Sequence, residues 1–185
     1  MPKQAIMLLS GGIDSAACTR FLQDQGYTID CVSIDYGQAA AKPERIAARS
    51  FADLLHVTLN CVDVVSSRRF GPGEILGRNA FLVLTALMTS KITLGVVALG
   101  IHAGTRYYDC STGFLACLDR LVAEYTDGCV RAVAPFITWS KARVFDYYVR
   151  SGLPEHIPYS CEAGTDPACG QCASCQDRRK LGCFH

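Results

Sequence analysis

The chain has almost no net charge. Its 185 residues include 18 Lys and Arg against 17 Asp and Glu, which gives a formal net charge of +1. Proteins that bind nucleic acids in general carry a basic excess that neutralises phosphates. A general nucleic-acid binder is therefore not expected, and the one basic cluster, Arg178-Arg179-Lys180, is predicted to be a solvated tail.

The chain also lacks a segment typical of a secretory signal or a membrane span. The apolar run Ala5–Leu9 is too short for a signal and ends at a glycine pair. The apolar stretch Phe81–Ile101 is interrupted by Lys91 and Gly95, so we predict a buried helix followed by a buried strand there. We expect no membrane partner and a reducing cytoplasm as the location.

Repeats and low-complexity segments are absent as well. A hydrophobic fraction of 50% over 185 residues is enough for a sizeable core. We therefore predict a single domain over residues 1–185.

The segment directly after Ala5–Leu9 is Ser10-Gly11-Gly12-Ile13-Asp14-Ser15, which predicts a strand, a phosphate-binding loop and a helix start. The glycines allow consecutive N–H groups to converge on an anion. Asp14 or Ser15 is expected to cap the helix, whose positive end would point at the same phosphate. No Gly-Lys-Ser/Thr follows, which excludes a Walker loop.

The same six residues resemble the pyrophosphate loop of the ATP-pyrophosphatase superfamily. That resemblance implies cleavage of ATP between its α and β phosphates and transfer of AMP to an oxygen of the substrate. The carboxylate of Asp14 can hold Mg²⁺ on the pyrophosphate.

Continuous apolar runs alternate with helical stretches along the chain, which is the pattern of a parallel sheet covered on both faces. We predict a doubly wound α/β fold with a mostly parallel five-stranded sheet, like that of the adenine nucleotide alpha hydrolases. The predicted strands are Ala5–Leu9, Ile29–Ile34, Val57–Val62, Val96–Ile101 and Val130–Ala134. The predicted helices are Ser15–Gln25, Pro43–Leu55, Asn79–Thr93, Gly113–Tyr125 and Lys141–Ser151.

Ligands of such sheets bind at the carboxyl ends of the strands, and polar loops of this chain fall there. The loops are Ser10–Ser15, Asp35–Gln38, Gly77–Asn79 and His102–Ser111. We expect these loops to form one pocket.

The chain has 11 cysteines, an odd number that favours metal binding over disulfides. Cys161, Cys169, Cys172 and Cys175 have the Cys-x7-Cys-x2-Cys-x2-Cys spacing that suits tetrahedral zinc, and an Fe–S cluster is the alternative. The four thiolates would saturate the ion, so we predict a structural zinc site within residues 158–178. Cys183 is expected to be free, and the cysteines predicted to lie in the core are Cys18, Cys31, Cys61, Cys117 and Cys129.

The phosphate loop, the segment Asp35-Tyr36-Gly37-Gln38 and the cysteine array with Arg178 after it occur together in this order. This combination resembles the 7-cyano-7-deazaguanine synthases, the QueC family of the queuosine pathway. The resemblance extends to Gly77-Arg78-Asn79, Tyr108-Asp109-Cys110 and Lys141-Ala142, which are similar to the family's Pro-Gly-Arg-Asn, Tyr-Pro-Asp-Cys and Lys-Ala-Glu. It covers nearly the whole chain.

The resemblance implies an ATP-dependent ligase that activates 7-carboxy-7-deazaguanine as an acyl-adenylate. Ammonia then gives the amide, and a second activation followed by dehydration gives the nitrile. It implies that Asp14, Arg78 and Lys141 act on the phosphates and the reacting carboxylate, and that Asp109 accepts hydrogen bonds from the amino-pyrimidine edge. The implied ATP contacts are Leu9, Ser10, Gly11, Gly12, Ile13, Asp14, Ser15, Ile34, Tyr36 and Asn79.

This chain also departs from the family pattern. The loop between Val65 and Gly77 is short, His102–Tyr107 replaces the usual acidic and Ser-Gly-Tyr-Pro residues, Ser111 stands where the family has arginine, and Arg143 replaces an acidic residue. A shortened relative that hands the activated deazaguanine to a protein amino group, like relatives associated with anti-phage defence, is therefore an alternative.

Two functions of other classes also remain open. One is a module that binds ATP and zinc without turnover, and the other is an enzyme that modifies tRNA directly. The resemblance further implies a homodimer, for which the apolar helix around Leu82–Met88 offers an interface.

Overall fold

A computed structural model describes residues 3–105 and 107–183 of the chain. Its centre is a sheet of 5 strands in the order β3-β2-β1-β4-β5. Every neighbouring pair in this sheet is parallel. The strands are β1 (Lys3–Leu8), β2 (Tyr27–Asp35), β3 (Thr58–Asp63), β4 (Gly95–Ala98) and β5 (Val130–Val133). The helices are α1 (Ile13–Asp24), α2 (Ala41–Leu55), α3 (Arg78–Thr89), α4 (Thr112–Tyr125), α5 (Lys141–Arg150) and α6 (Ala173–Lys180).

Helices cover both faces of the sheet because successive strand residues point to opposite sides. Ala5 and Met7 of β1 belong to a core formed with α1, α2 and α5. Ile6, the residue between them, belongs to a second core formed with α3 and α4. The predicted doubly wound α/β fold is therefore confirmed.

The strand order changes direction between β1 and β4, whose carboxyl ends lie side by side. In parallel sheets this is the position where a crevice opens for ligands. The loop after β1 and the loop after β4 are thus neighbours, although about ninety residues separate them.

The start of α1 differs from the prediction. Neither Asp14 nor Ser15 caps it, because the helix begins earlier and its N-cap is Gly12, which has no side chain that could accept a capping hydrogen bond. The Ser15 hydroxyl instead donates to the carbonyl oxygen of Gly12 at 3.0 Å. The N–H groups at the helix start are left without a capping side chain, which suits an anion.

Two elements had no counterpart in the prediction. The first is α6, which begins inside the cysteine array with Cys172 as its N-cap. The second is a short 3-10 turn at Tyr108–Cys110. Both lie in segments where glycines, prolines and cysteines hide any helical periodicity.

The basic cluster near the C-terminus is not a solvated tail. It forms the last turn of α6, and Arg178 is buried with 4% of its surface exposed. The Arg178 Nη1 atom donates to the carbonyl oxygen of Pro158 at 2.7 Å. The prediction was wrong because the charge run gave no sign of a helix packed against the body of the protein.

The predicted core cysteines divide into two groups. Cys18 and Cys31 are buried as expected, and the predicted free cysteine Cys183 is a buried free thiol. The prediction was wrong for Cys61, Cys117 and Cys129, which are exposed. Apolar neighbours in sequence do not show which face of a strand or helix a side chain occupies.

The apolar stretch Phe81–Ile101 contains most of α3 and all of β4, so the predicted helix and strand are confirmed in type. On α3, Val83 and Ala86 are buried, whereas Met88 is exposed. A homodimer interface on this helix stays a prediction. Within residues 3–105 and 107–183, no helix combines the length and hydropathy that crossing a membrane requires.

Candidate functional site

The loop after β1 forms the base of the site. Gly11 has a φ of +83°, and a Cβ atom there would lie 2.6 Å from the Glu44 carbonyl oxygen. Only glycine fits this close approach to α2. Ser10 and Ser15 are joined through their hydroxyls at 3.2 Å. The loop is thus closed on itself, with the start of α1 directed at its open side.

Asp14 lies in the first turn of α1 and forms a close ion pair with Lys141 at the start of α5. The Lys141 Nζ atom donates to both carboxylate oxygens, at 2.7 and 2.6 Å. The Nε2 atom of His102, which follows β4, is 3.8 Å from the Asp14 Oδ2 atom. Asp14 on α1 therefore lies beside side chains from two other segments of the chain.

A cavity of about 220 Å³ opens beside this loop, at the carboxyl ends of β1, β2 and β4. Leu9, Ile34 and Leu82 supply apolar walls, while Asp14 and Arg78 supply charge. The combination of an apolar wall and an anion-binding loop suits a nucleotide, whose base is planar and whose phosphates are charged. Among the predicted ATP contacts, those that line the cavity are Leu9, Ser10, Gly12, Asp14, Ser15, Ile34, Tyr36 and Asn79.

The other two predicted ATP contacts lie elsewhere. Gly11 is buried against α2, and it shapes the loop without lining this cavity. Ile13 lines a second cavity described below.

The turn after β2 is held by Gln38. Its side-chain oxygen accepts a hydrogen bond from the Tyr36 amide at 2.9 Å, and its side-chain nitrogen donates to the Glu44 Oε2 atom at 3.0 Å. Burial raises the pKa of Glu44, whereas Gln38 and Arg78 lower it by a smaller amount. Glu44 was not among the predicted site residues, because a lone acidic residue in the first turn of a helix is common on protein surfaces.

A second cavity, of about 290 Å³, lies on the other side of the phosphate loop. It is lined by Lys141 and His102, by Cys110, and by residues of the cysteine-rich segment such as Ser160 and Glu162. The residues that line both cavities are Ser10, Gly12, Asp14, Glu44, Arg78, Gly100 and Ile101. The two cavities therefore adjoin each other at the phosphate loop and Asp14.

Asp109 is placed differently from the expectation that it contacts the substrate. It is buried, its Oδ2 atom accepts a hydrogen bond from the Asn79 amide at 3.4 Å, and its carbonyl oxygen accepts one from the Asn79 side chain at 2.9 Å. Asp109 is not among the described residues that line either cavity. This geometry favours a structural role, in which Asp109 holds the start of α3 and so positions Arg78.

The cysteine array is brought together as predicted. One sulfur atom from each of Cys161, Cys169, Cys172 and Cys175 lies within 4.8 Å of the others, and the Cys169 and Cys175 sulfur atoms are 4.0 Å apart. A tetrahedral zinc ion with bonds of about 2.3 Å requires sulfur separations of about 3.8 Å, so the set can hold such an ion. The compact arrangement favours a single ion over a cluster of several iron atoms.

Backbone amides point at the sulfur atoms of this array. Burial alone would raise the pKa of the Cys161 thiol, but hydrogen bonds from the Cys169 amide and the Thr165 hydroxyl help to lower it to about 5. The Gln171 and Cys172 amides lower the pKa of Cys169. Burial raises the pKa of Cys175 to about 12. The amide contacts therefore favour thiolates, the form in which cysteine binds a metal, at Cys161 and Cys169.

The cysteine-rich segment is attached to the phosphate loop. The Tyr159 amide donates to the carbonyl oxygen of Gly11 at 3.0 Å. The Glu162 carboxylate accepts hydrogen bonds from the Gly73 amide at 3.0 Å and from the Ser174 hydroxyl at 2.8 Å. This segment thus forms one wall of the second cavity and contacts the loop of residues 64–77.

One residue of the altered segment His102–Tyr107, Arg106, lies outside the described residues. In the described part of that segment, His102, Thr105 and Tyr107 line the second cavity. The departure from the family pattern therefore falls in the wall of that cavity. Arg143 lies outside both cavities, with its guanidinium 4.1 Å from the ring centroid of Trp139.

A model of the family described as Queuosine biosynthesis protein QueC matches residues 4–76 and 74–182 of the chain. The chain belongs to the QueC family. The resemblance inferred from the phosphate loop, the Asp-Tyr-Gly-Gln segment and the cysteine array is thereby confirmed.

Curated relatives of this QueC family member agree with that assignment. A protein from Methanothermobacter thermautotrophicus is 31% identical, and the match covers 96% of this chain and 93% of the relative. A protein from Rhizobium johnstonii is 28% identical over 98% of this chain and 87% of the relative. Both are named 7-cyano-7-deazaguanine synthase. These relatives support an enzyme of queuosine biosynthesis.

The solved structures support the fold of this QueC family member. A predicted subunit of tRNA methyltransferase from Methanocaldococcus jannaschii matches with a TM-score of 0.54 and 14% identity, over 80% of this chain and 76% of that chain. At this identity the likeness concerns the fold alone.

Proposed function

We propose that this chain uses ATP to adenylate the carboxylate of 7-carboxy-7-deazaguanine and couples the activated carboxyl group to ammonia. The product of that coupling is the amide. A second activation, followed by loss of water, converts the amide to 7-cyano-7-deazaguanine.

The observation that best supports this proposal is that the phosphate loop and Asp14 form a wall shared by two cavities. ATP in the first cavity would place its base against Leu9 and Ile34 and its phosphates on the loop. The deazaguanine in the second cavity would then present its carboxylate to the α-phosphate where the two cavities adjoin. Holding the two reactants in one geometry removes much of the entropic cost of the reaction.

In the adenylation step, a carboxylate oxygen of the substrate attacks the α-phosphorus of ATP. The bond between that phosphorus and the oxygen bridging to the β-phosphorus breaks, and pyrophosphate leaves with the electron pair. Arg78 and Lys141 stabilise the negative charge that grows on the phosphate oxygens. Asp14 would hold Mg²⁺, which neutralises the departing pyrophosphate.

The ion pair of Asp14 and Lys141 prepares the site for this step. The Lys141 side chain is fixed by two hydrogen bonds beside the phosphate loop. A cation fixed before the substrate arrives needs little reorganisation during the reaction, which is the main source of electrostatic catalysis.

We also propose that the cysteine array holds zinc and that this zinc is structural. Its four thiolates leave no coordination position for a substrate. The ion would fix the segment that forms one wall of the second cavity.

Mass spectrometry tests the proposal. The purified protein is incubated with Mg²⁺, ATP and 7-carboxy-7-deazaguanine, with and without ammonium, and the small molecules and the intact protein are both measured. We expect AMP and pyrophosphate, together with amide or nitrile only when ammonium is present. AMP accompanied by a mass added to the protein would identify a protein amine as the acceptor, and ATP left intact would contradict the proposal.

A further inference from the structure

Glu44 lines both cavities and is not committed to an ion pair. It shares this position with Asp14, but the Asp14 carboxylate is paired with Lys141. No Lys, Arg or His of the described residues forms an ion pair with Glu44. Glu44 is therefore a carboxylate available to a cationic ligand at the junction of the two cavities.

The orientation of this carboxylate is fixed by the turn after β2. The Gln38 side chain donates to the Glu44 Oε2 atom at 3.0 Å and to the carbonyl oxygen of Ile34 at 3.2 Å. Within the described part of the chain, the Oε1 atom of Glu44 accepts no hydrogen bond from a side chain or the backbone. One oxygen is thus held in place while the other is free to accept from a ligand.

The surroundings of Glu44 favour binding of a proton or of a cation that donates hydrogen bonds. Burial raises its pKa most, and Asp35 adds a smaller increase, whereas Gln38 and Arg78 oppose both. Arg78 lines the same two cavities and is the charged group that opposes a second cation beside Glu44.

Ser160 gives a second, independent indication of a ligand in the same cavity. Its hydroxyl oxygen is buried and has no hydrogen-bond partner among the described residues. Ser160 and Glu44 both line the second cavity. A buried hydroxyl without a partner is costly, so a ligand that donates hydrogen bonds would relieve that cost.

We propose that Glu44 binds the attacking ammonium ion and takes one of its protons. This inference rests on the proposed function. An ammonium ion has four N–H donors and no acceptor, so it matches the free Glu44 oxygen. Magnesium, in contrast, is bound by carboxylates together with substrate phosphates, and Asp14 on the phosphate loop is its proposed ligand here.

Amide formation starts from ammonium and the acyl-adenylate. Ammonium gives one proton to Glu44 and becomes ammonia, whose lone pair attacks the acyl carbon of the adenylate. The carbon–nitrogen bond forms, the bond from carbon to the phosphate oxygen breaks, and AMP leaves with the electron pair. The nitrogen loses a second proton to solvent, and Glu44 later releases its own.

The test compares the unmutated protein with Glu44→Gln, which keeps the shape of the side chain, and Glu44→Asp, which keeps the charge. Asp53→Asn is the matched control, since Asp53 is an exposed acidic residue of the same helix. Three rates are measured for each protein. They are pyrophosphate exchange into ATP with 7-carboxy-7-deazaguanine alone, product formation with ammonium, and product formation with hydroxylamine.

Hydroxylamine separates the roles because it is a neutral nucleophile at neutral pH and needs no proton removed before attack. In Glu44→Gln we expect unchanged pyrophosphate exchange and a loss of about 100-fold or more in the reaction with ammonium. Hydroxylamine should restore most of the rate of product formation in Glu44→Gln. With ammonium, the rate of Glu44→Asp should fall between those of Glu44→Gln and the unmutated protein. Asp53→Asn should match the unmutated protein.

Several results would overturn the inference. Equal ammonium dependence in Glu44→Gln and the unmutated protein would remove Glu44 from this step. Equal losses with ammonium and hydroxylamine would show a structural effect, and lost pyrophosphate exchange in Glu44→Gln alone would place Glu44 in adenylation. If the unmutated protein shows no exchange, the proposed function fails and the role of Glu44 fails with it.

Discussion

At the scale of single residues, Asp14 joins the parts of the chain that form the site. It lies on α1, its ion-pair partner Lys141 begins α5, and His102 follows β4. The Lys141 Nζ atom and the His102 Nε2 atom both lie within 3.8 Å of the Asp14 Oδ2 atom. Such convergence of charged groups in a cleft is typical of a reactive centre.

Replacement of Asp14 tests its place in the chemistry. We expect Asp14→Ala to lower the rate of ATP-dependent AMP formation by about 100-fold or more, because the site loses a metal ligand and the partner that fixes Lys141. The fold should persist, since Asp14 and Lys141 are both partly exposed and exposed ion pairs contribute little to stability. AMP formation and thermal unfolding are the measurements.

The control is Asp146→Ala, which removes an exposed carboxylate on α5. It should leave both AMP formation and unfolding close to those of the unmutated protein. AMP formation by Asp14→Ala at the unmutated rate would be incompatible with Asp14 as a metal ligand.

The ionised Glu44 carboxylate lowers the free energy of unfolding, as its raised pKa shows. The folded protein disfavours the ionised carboxylate, mainly through burial. The stability linked to this group is therefore fully present below the unfolded pKa of Glu and is lost as the pH rises through the folded pKa. We expect Glu44→Gln to unfold at a higher temperature than the unmutated protein at neutral pH.

The pH dependence of that difference is the decisive measurement. The gain in unfolding temperature should shrink as the pH falls below the unfolded pKa of Glu, because Glu44 is then neutral in both states. A constant difference at every pH would show that the gain has another cause. A residue that lowers stability in this way is common at functional sites.

At the scale of elements, the phosphate loop is held from two sides. Helix α2 packs against Gly11, and the Tyr159 amide donates to the carbonyl oxygen of the same glycine. Gly11 has no side chain that could fill a gap on either side. Its shape therefore depends on the exact distance to α2.

Alanine substitutions at two glycines of similar backbone conformation test how strongly the loop depends on its distance to α2. Gly11 and Gly26 have φ values of +83° and +80°, but a Cβ atom at Gly26 would meet nothing within 4 Å. Gly26→Ala should cost about 1 kcal/mol of unfolding free energy from backbone strain alone. Gly11→Ala should cost about 1–3 kcal/mol more, because its Cβ atom would overlap with α2.

Chemical denaturation gives both values, and a titration with ATP shows the consequence for the site. Gly11→Ala should also weaken ATP binding, whereas Gly26→Ala should not. Equal costs for the two variants would mean that the loop can move away from α2 without strain.

At the scale of the whole molecule, the cysteine array is coupled to the site. The segment Pro158–Glu162 contacts Arg178 of α6 at one end and reaches the phosphate loop and Gly73 through Tyr159 and Glu162. An ion bound by the array would hold these contacts in one arrangement. Loss of the ion should therefore affect the second cavity as well as the stability of the chain.

Cys172→Ser tests this coupling. We expect it to lose bound zinc, to unfold at a lower temperature and to bind the deazaguanine substrate more weakly, because structural zinc contributes directly to folding. Elemental analysis, thermal unfolding and calorimetric titration measure the three effects. Cys117→Ser is the control, since Cys117 is an exposed free cysteine outside the array.

The control should keep its metal content, its unfolding temperature and its affinity. If Cys172→Ser lost zinc without any change in unfolding, the ion would not be structural. If it lost stability but bound substrate normally, the cysteine array would be independent of the second cavity.

Local sequence was sufficient for the parts of this protein that short-range physics controls. The apolar runs predicted all five strands, because each run has the length of a strand and is bounded by turn residues. The two glycines after β1 predicted a loop that only glycine can form, and the spacing of the four cysteines predicted that their sulfur atoms meet. The family assignment rests on the same local motifs.

Tertiary structure decided which distant residues share the site. Glu44, His102 and Ser160 line the second cavity because α2, the end of β4 and the cysteine-rich segment pack around one loop. Arg178 is buried and Asp109 supports α3 for the same reason. A charged side chain has the same local signal on a surface and in a cleft, so only the packing of elements far apart in the chain determines its role.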